Sequence, residues 1–445
     1  MIRICLYCAR YPEESFKVAP LGVGYLHAFL VSKRLVTKEN IRIVDSFEEI
    51  LEFKPNIVGI SSVSHVLGDA RRMAQQCKDS LDCFTVLGGY HVSCAPDALP
   101  KEFDVGVIGE GELTFAEIVK SYSFLYKKIS SIELINGICY RDNGDVRLTQ
   151  QRELIEDVNS LPWPSRHKKY SSEEAVFTSR GCPYKCIFCA SHGFWNGKVR
   201  FRSAESVVDE VFYLVKTYKP KEIVILDDLW IADKKRFKAI AEGLMQRNIP
   251  QRVTLRGFCR SSIVDEQTIL LLKKINYRVL RFGGETGSDE LLKAIKGRDI
   301  SVSDHQRVID LSYKHGMECG ASFMFGVPGE TREDIQKTIH FLERNKTKLK
   351  IMGFYLFNPI PGTILWQQLV ESGLLPSDFK FESLQLDLSR KEFDWENVLY
   401  FNNDLIPLNE FRSLIDEIKG KYFLKSKIMI VFSAVKSRLR RKFLH

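Results

Sequence analysis

The sequence lacks two kinds of segment that would place a protein in a membrane or outside the cell. Its apolar stretches, such as residues 428–432, are far shorter than the ~20 residues of a membrane-spanning helix. The first residues read as a strand and lack the basic start, apolar middle and cleavage site of a secretory signal. The sequence therefore predicts a cytoplasmic protein. Its 445 residues, 44% of them apolar, predict two or three domains.

Acidic residues are missing from residues 418–445, which hold nine lysines and arginines. These nine equal the whole net charge of +9, so the basic balance does not indicate a general nucleic-acid-binding protein. Apolar residues from Ile428 to Phe443 recur there at three- and four-residue spacing. The segment is predicted to be a basic amphipathic helix that suits an anionic membrane surface. Packing on its own domain and, less favoured, RNA binding are the alternatives.

Short apolar runs alternate with helical patterns over the first 130 residues. The predicted strands are 2–7, 41–45, 57–61, 84–88 and 105–108, and the predicted helices are 22–32, 68–79 and 114–122. Runs that are apolar throughout indicate a parallel sheet covered on both faces. This pattern predicts a doubly wound, Rossmann-like domain with ligands beyond the carboxyl ends of its strands. Asn143-Gly144 between alternating residues predicts a β-hairpin next.

The loops after these predicted strands are rich in glycine, which lets the backbone approach a ligand closely. Turn chemistry alone explains any single loop, but several at one sheet edge predict a ligand shelf. A G-x-G-x-x-G sequence after the first strand is missing, which disfavours a nicotinamide dinucleotide.

Eleven cysteines, an odd number without a secretory signal, do not indicate a disulfide framework. Three of them, Cys182, Cys186 and Cys189, lie within eight residues at C-x3-C-x2-C spacing. Thiolates bind soft metals and iron–sulfur clusters, and three ligands leave one iron of a four-iron cluster open. Zinc is the competing interpretation, with His192 as a fourth ligand.

At these residues the sequence resembles the radical S-adenosylmethionine superfamily. The resemblance implies that the three cysteines hold a 4Fe–4S cluster, whose open iron is chelated by S-adenosylmethionine, with Phe188 near the adenine. One electron from the cluster then cleaves the cofactor to a 5′-deoxyadenosyl radical.

Six further strand-and-helix units fit the partial (β/α)6 TIM-like barrel of this superfamily. By the resemblance, Gly283, Gly284 and Glu285 bind the amino group of S-adenosylmethionine. Arg256 and Arg260 flank the end of the third barrel strand, and one of them, with Arg260 preferred, is predicted to bind the carboxylate of the cofactor. The alternative for Glu285 is an ion pair with Arg281 or Lys296. Asp227, Asp228 and Tyr355 are the candidate catalytic residues. The two aspartates could contact the substrate, bind ribose hydroxyls of the cofactor or cap a helix. The turn that contains Glu330 resembles another family loop.

The order of a doubly wound domain, a hairpin and a radical barrel resembles the cobalamin-binding branch of the superfamily. The resemblance implies a group of cobalamin-contacting residues at the sheet edge: Ser62, Gly88, Gly89, Tyr90, His91, Gly109 and Glu110. The D-x-H-x-x-G sequence that supplies a histidine ligand to cobalt is missing. His91 is a conceivable ligand, although a hydrogen-bonding role in the loop is more common, and Tyr90 or Val63 could instead face the lower side of cobalt.

The resulting prediction is a cobalamin-dependent radical methyltransferase that acts on an unactivated carbon of a small or lipid-like metabolite. The alternatives are radical cyclisation, rearrangement or oxidation and, less favoured, tRNA methylthio transfer or a non-catalytic iron–sulfur sensor. An electron donor such as flavodoxin or ferredoxin is implied. The predicted domains are 1–130 for cobalamin, 131–170 for the hairpin and linker, 171–375 for the barrel, and 376–445 for a helical cap and basic tail.

Overall fold

The computed structural model describes residues 2–10, 18–123, 128–166, 172–376, 379–381, 384–385, 387–388 and 393–423. The chain divides into two compact units. The first comprises Met1–Pro183, Phe188–Val224 and Ile360–Glu382, and the second comprises Tyr184–Ile187, Ile225–Pro359 and Ser383–His445. The predicted basic amphipathic helix from residue 425 onward lies outside the described residues.

The N-terminal sheet has seven strands in the order β2-β1-β3-β4-β5-β8-β9. These strands are β1 (Ile4–Cys8), β2 (Ile41–Val44), β3 (Ile57–Ser61), β4 (Phe84–Gly88), β5 (Val105–Val107), β8 (Ile138–Asp142) and β9 (Asp145–Leu148). A separate short pair consists of β6 (Tyr122–Ser123) and β7 (Lys128–Ile129). The first five strands pair in parallel, as the sequence predicts. This confirms the doubly wound sheet.

The hairpin predicted at Asn143-Gly144 forms between β8 and β9, and both turn residues have positive φ, of 51° and 97°. The hairpin also pairs antiparallel with β5 through β8, so it extends the N-terminal sheet. The end of this sheet therefore does not coincide with the boundary predicted at residue 130. Local sequence indicated the turn, but the pairing of β8 with β5 depends on tertiary contacts that the pattern does not contain.

Helices cover both faces of this sheet. They are α1 (Leu21–Ser32), α2 (Phe47–Phe53), α3 (Leu67–Ser80), α4 (Tyr90–Cys94) and α5 (Gly111–Ser121). Neighbouring residues of β1 belong to opposite cores because side chains of a strand alternate between its faces: Ile4 and Leu6 pack on one side, and Cys5 and Tyr7 on the other. The short helices α2 and α4 were not predicted from the sequence.

The second sheet has six strands in chain order, β10-β13-β14-β15-β16-β17. They are β10 (Glu173–Val176), β13 (Glu222–Ile225), β14 (Thr254–Cys259), β15 (Tyr277–Glu285), β16 (Glu318–Phe325) and β17 (Leu349–Leu356). The last four pair in parallel. All six strands predicted for the barrel are present.

Two short strands, β11 (Ser179–Arg180) and β12 (Arg200–Phe201), pair antiparallel and enclose the three-cysteine segment. The remaining helices are α6 (Ser191–Phe194), α7 (Ala204–Thr217), α8 (Lys234–Gln246), α9 (Glu266–Lys274), α10 (Asp289–Lys296), α11 (Val302–Lys314), α12 (Arg332–Asn345), α13 (Ile364–Glu371) and α14 (Leu408–Ile418). Of the predicted helical cap, α14 is the α-helix in the described residues after 376. Among described residues, we find no helix with the length and apolar character that crossing a bilayer requires.

Candidate functional site

The carboxyl edge of the N-terminal sheet has open space above two of its predicted ligand-contacting glycines. Within the part of the chain that the structure describes, a Cβ atom added to Gly88 or Gly109 would meet no heavy atom within 4 Å. Gly89 differs, because its φ is 96° and its added Cβ would lie 2.5 Å from the backbone oxygen of Ser62. Gly89 therefore lets the loops after β3 and β4 pack closely, while Gly88 and Gly109 leave room for a flat group against the backbone.

His91 lies on this edge but points into the protein. Its side chain is buried, and its Nδ1 lies 3.1 Å from the Oγ of Ser64. Its ring packs edge-on against Phe381, with 4.7 Å between the ring centroids. These contacts are those of the hydrogen-bonding histidine that the sequence favoured over a cobalt ligand.

Tyr90, half-buried at the start of α4, contacts the segment that carries the cysteines. Its ring stacks on Phe194 with 4.2 Å between centroids, and its hydroxyl accepts a hydrogen bond of 3.1 Å from the Trp195 Nε1. The side chain of Tyr90 is thus engaged by α6 and the residue that follows it.

Glu110 follows β5 and is buried in a charged network. Its Oε1 accepts from Arg180 at 2.5 Å, and its Oε2 accepts from Arg200 at 2.6 Å and from the backbone N–H of Ile155 at 2.8 Å. Arg180 also donates to Glu112 at 2.6 Å. Burial opposes ionisation, but the two guanidinium groups together hold the pKa of Glu110 below its usual value. Both carboxylate oxygens are therefore used within the protein, although the sequence assigned Glu110 to cobalamin.

The three-cysteine segment leaves its thiols accessible. Cys182 and Cys186 are partly exposed and Cys189 is exposed, whereas six of the other eight cysteines are buried. Burial raises the pKa to about 12 in the strand cysteines listed here: Cys5, Cys139, Cys259 and Cys319. Those thiols are therefore protonated core residues, and none of the eleven cysteines, all described, forms a disulfide.

The donor set of Cys182, Cys186 and Cys189 fits an iron–sulfur cluster, because its ligands are thiolates in an accessible loop. Within the described ranges, no three His, Cys, Asp or Glu side chains are already grouped as a metal site. Gly181, at φ 102°, begins the segment, and its added Cβ would lie 2.0 Å from the backbone oxygen of Lys198. Glycine is therefore required at position 181, where the beginning of the segment approaches the backbone of Lys198.

Arg260 contacts the middle cysteine of the motif. The guanidinium lies over the ring of Tyr184, 3.8 Å from its centroid, and Nη1 donates to Cys186 Sγ at 3.7 Å. Nη2 donates to Asp299 at 2.9 Å and to the backbone oxygen of Lys296 at 3.3 Å. Its Nε also donates to the Oγ of Ser262 at 3.2 Å. The side chain is buried and held by these contacts, so Arg260 presents a fixed positive charge beside Cys186.

Glu285 ends β15 with a positive φ of 58°, which is uncommon for a residue other than glycine. Its Oε1 accepts from Lys296 Nζ at 3.0 Å, and Lys296 also donates to the backbone oxygen of Gly283 at 2.8 Å. A Cβ on Gly284 would lie 3.3 Å from the ring of Phe323. Lys296 is one of the two ion-pair partners, Arg281 and Lys296, that the sequence offered for Glu285.

The remaining candidates differ in exposure. Phe188 is partly buried, Asp227 is buried and Asp228 is exposed. Tyr355, on β17, is 39% exposed, and both burial and the charge of Asp387 raise the pKa of its phenol. Tyr355 is therefore protonated at neutral pH and can donate a hydrogen bond.

Sequence analysis missed Arg180, Arg200, Tyr184 and Trp195 as parts of the site. The one available signal was the alternation of Arg200 and Arg202 around Phe201 directly after the cysteine segment, a pattern that places both guanidinium groups on one face of a strand. Arg202 is buried and paired with Glu210.

Comparison with known proteins gives matches to two families. Residues 176–342 match the radical SAM superfamily and residues 15–119 match the B12 binding domain. An uncharacterized methyltransferase of Pyrococcus horikoshii is 32% identical over 373 residues, 80% of this chain and 79% of that protein. The anaerobic magnesium-protoporphyrin IX monomethyl ester cyclase of Rubrivivax gelatinosus is 25% identical over 414 residues, 89% of this chain and 71% of that protein.

Among solved structures, the radical S-adenosylmethionine methyltransferase TsrM from Kitasatospora setae, with cobalamin and a 4Fe–4S cluster bound, has a similar fold. Its TM-score is 0.70 at 19% identity, over 84% of this chain and 78% of that chain. The doubly wound domain followed by a radical SAM domain is therefore the arrangement of both molecules.

Proposed function

The chain belongs to the cobalamin-dependent radical S-adenosylmethionine methyltransferases, and we propose that it methylates an unactivated carbon of a small or lipid-like metabolite. Members of this family use a 4Fe–4S cluster, S-adenosylmethionine and cobalamin. When bound, these groups supply the electron, the carbon-centred oxidant and the methyl-carrying metal that an unactivated carbon requires. The observation that carries the proposal is one chain with both a three-thiol segment and an open glycine edge.

We assign the cofactor contacts residue by residue. Cys182, Cys186 and Cys189 ligate the cluster, because they are the accessible thiols of the chain's one C-x3-C-x2-C segment. The backbone at Gly88 and Gly109 lies against cobalamin, since no heavy atom of the described residues comes within 4 Å of a Cβ added to either glycine. Ser62, Gly89, Tyr90 and His91 shape that edge through their packing.

We assign three side chains to the binding of S-adenosylmethionine. Glu285 accepts a hydrogen bond from the amino group of the cofactor. To do so, its carboxylate must either bind this amino group and Lys296 together or release Lys296. Arg260 supplies a fixed positive charge for the carboxylate of the cofactor, and Phe188 packs near its adenine. The role of these side chains is to bind and orient the cofactor and to exclude water.

The substrate is met by residues at strand ends of the second sheet. Asp227 and Asp228 follow β13, and Tyr355 lies near the end of β17. A protonated Tyr355 donates a hydrogen bond to an acceptor on the substrate. We propose these three as the residues that determine which carbon is presented.

Radical cyclisation is the second candidate, because the similarity to the Rubrivivax cyclase covers 89% of this chain. The products of S-adenosylmethionine distinguish the two reactions. Methyl transfer consumes one molecule as the methyl donor, which leaves S-adenosylhomocysteine, and cleaves another to 5′-deoxyadenosine. Cyclisation produces 5′-deoxyadenosine alone.

The test is anaerobic reconstitution with iron, sulfide and hydroxocobalamin, followed by reduction with S-adenosylmethionine that carries a deuterated methyl group. We expect about four irons and one corrin per chain, and both products by mass spectrometry. The variant Cys186→Ala should lose iron and both products. The matched control Cys319→Ala, which changes a buried core cysteine, should retain them. Formation of 5′-deoxyadenosine without S-adenosylhomocysteine would contradict methyl transfer and favour cyclisation.

Lipid-like substrates are proposed because of the basic C-terminal segment, which would hold the enzyme at an anionic surface. Flotation with anionic and neutral vesicles tests this in the full chain. The control is the full chain in which the last five basic residues, Lys436, Arg438, Arg440, Arg441 and Lys442, are all replaced by glutamine. Equal flotation of both proteins would contradict surface binding and leave a water-soluble metabolite as the substrate class.

A further inference from the structure

Four largely buried charged residues lie where the cysteine segment leaves and rejoins the fold. Arg180 and Arg200 are paired residues of β11 and β12, so together they form the base of the segment 181–199. Glu110 binds both arginines, and Glu112 binds Arg180. The exposed fraction of the side chain is 4% for Glu110, 5% for Glu112, 9% for Arg200 and 11% for Arg180.

The two acids come from the glycine-rich edge of the N-terminal sheet. Glu110 follows Gly109, above which there is open space, and Glu112 lies in the first turn of α5. A short run of chain therefore carries, next to one another, an open backbone position for cobalamin and the carboxylates that hold the cysteine segment. Any movement of the segment's base must move this loop or break the ion pairs.

A second contact joins the same two parts. Near the other end of the segment, Phe194 stacks on Tyr90, and Trp195 donates to the hydroxyl of Tyr90. The guanidinium of Arg200 lies 5.2 Å from the centroid of the Trp195 ring, which connects the aromatic contact to the charged one. The segment is thus held at its base by Glu110 and near its helix α6 by Tyr90.

Stability alone is a poor explanation for this network. Burying four charged groups costs desolvation free energy that well-packed apolar residues in the same places would not cost. Ion pairs with several directed hydrogen bonds, however, fix one geometry. Glu110 makes three such bonds, to partners 45, 70 and 90 residues away in sequence. Its distinctive property is therefore that it specifies a register between distant segments.

We propose that Glu110 is a positioning residue that fixes the cluster-bearing segment on the cobalamin edge, with Glu112, Arg180 and Arg200 as its partners. The proposal deepens the proposed function and rests on it for the identity of the two groups. Glu110 itself touches neither group; it acts through Arg180 and Arg200. It sets the distance and orientation between the cluster and cobalamin, on which electron transfer and methyl transfer both depend.

The first experiment reads the contact in the protein without cofactors, by amide hydrogen exchange of peptides that cover 181–199. We expect Glu110→Gln to raise exchange there by about tenfold, since a buried charge-assisted network is broken. The matched control is Glu102→Gln, a buried acid paired with Arg71 before β5. Unchanged exchange at 181–199 in Glu110→Gln would overturn the proposal, and this result does not depend on the proposed function.

The second experiment reads the geometry in the loaded protein. Pulsed electron paramagnetic resonance measures the magnetic interaction between the reduced cluster and cob(II)alamin. We expect Glu110→Gln to retain both groups and to broaden the distribution of this interaction, while Glu102→Gln matches the wild type. Loss of cobalamin with no change in exchange at 181–199 would identify Glu110 as a residue of the cobalamin site and overturn the positioning role.

Two more variants keep the test decisive if Glu110→Gln does not fold. Arg200→Lys retains the positive charge but not the planar guanidinium, and Glu112→Gln removes one partner of Arg180 only. We expect smaller increases in exchange in both, each confined to 181–199. A uniform increase over the whole domain would indicate a general stabilising role instead. If the wild type binds iron but no corrin, the proposed function fails while the exchange result still stands.

Discussion

Two glutamates, Glu110 and Glu285, occupy equivalent places in the two sheets, and their surroundings differ. Each follows a glycine at the carboxyl end of a parallel strand. Glu110 is bound by two arginines and a backbone N–H, which use both of its oxygens. Among the described residues, Glu285 pairs with the ammonium group of Lys296, and its backbone has a positive φ.

The difference teaches how to separate an architectural acid from a ligand-binding acid at the same topological position. A carboxylate whose two oxygens are both held by planar guanidinium groups is fixed in one orientation, and three of its roughly four acceptor sites are filled when a backbone N–H also donates. A carboxylate paired with one flexible ammonium group can exchange that partner for the amino group of a ligand, since both are primary ammonium groups. We therefore expect changes at Glu285 to alter cofactor binding and changes at Glu110 to alter geometry.

The largest expected effect comes from Glu285→Ala. Loss of a charge-assisted hydrogen bond should weaken binding of S-adenosylmethionine by about 100-fold. Equilibrium dialysis on the anaerobically reconstituted protein measures this. The control is Glu290→Gln, five residues later and paired with Lys337 on the surface, which should bind normally. Equal affinity of Glu285→Ala and wild type would remove the distinction between the two acids.

Local sequence was sufficient to predict the partner of Glu285 but not the partners of Glu110. Lys296 lies 11 residues after Glu285, at the end of the helix that follows β15, so the sequence offered it as a partner. The arginines of Glu110 lie 70 and 90 residues away, and no periodic pattern connects them to β5. The sequence pattern consequently gave no sign of the ion network at Glu110, which the structure adds to the predicted cobalamin contact.

The strands and the cysteine segment were predictable because their signals are contained in a few neighbouring residues. All five parallel strands of the first domain and all six of the second sheet are present. Short helices were harder to predict: α2 has seven residues, and its one clear signal was Ser46, whose side chain accepts from the backbone N–H of Glu49. The direction of His91 could not be predicted either, since it depends on Ser64 and Phe381.

A second prediction concerns the partner of Glu285. Lys296→Met should lower the free energy of unfolding by about 3 kcal/mol, because it leaves a largely buried carboxylate without its cation. Denaturant unfolding measures the change. The control Lys337→Met removes a surface cation and should leave stability unchanged. In the double variant Glu285→Gln/Lys296→Met, most of the lost stability should return, and a purely additive loss would show that the pair is not coupled.

The smallest expected effect sharpens the comparison with a third strand-end acid, Glu330. This side chain is buried and accepts from the backbone N–H of Gly326 at 2.6 Å. Burial and the charge of Asp334 raise its pKa to about 8. Glu330 therefore shows the third case in this fold: two guanidinium groups keep Glu110 ionised, one ammonium group pairs with Glu285, and burial keeps Glu330 protonated at neutral pH.

The pH dependence of stability follows from that raised pKa. In the unfolded chain Glu330 loses its proton near pH 4.5, but in the folded chain it keeps the proton until about pH 8. The contribution of Glu330 is therefore complete below pH 4.5 and is lost as the pH rises through 8. Glu330→Gln, which is neutral at every pH, should be more stable than wild type at pH 8, with little difference at pH 4.5. Denaturant unfolding at both values, with the exposed Glu333→Gln as control, measures the difference, and an advantage that is equal at both values would mean that Glu330 is ionised in the folded protein.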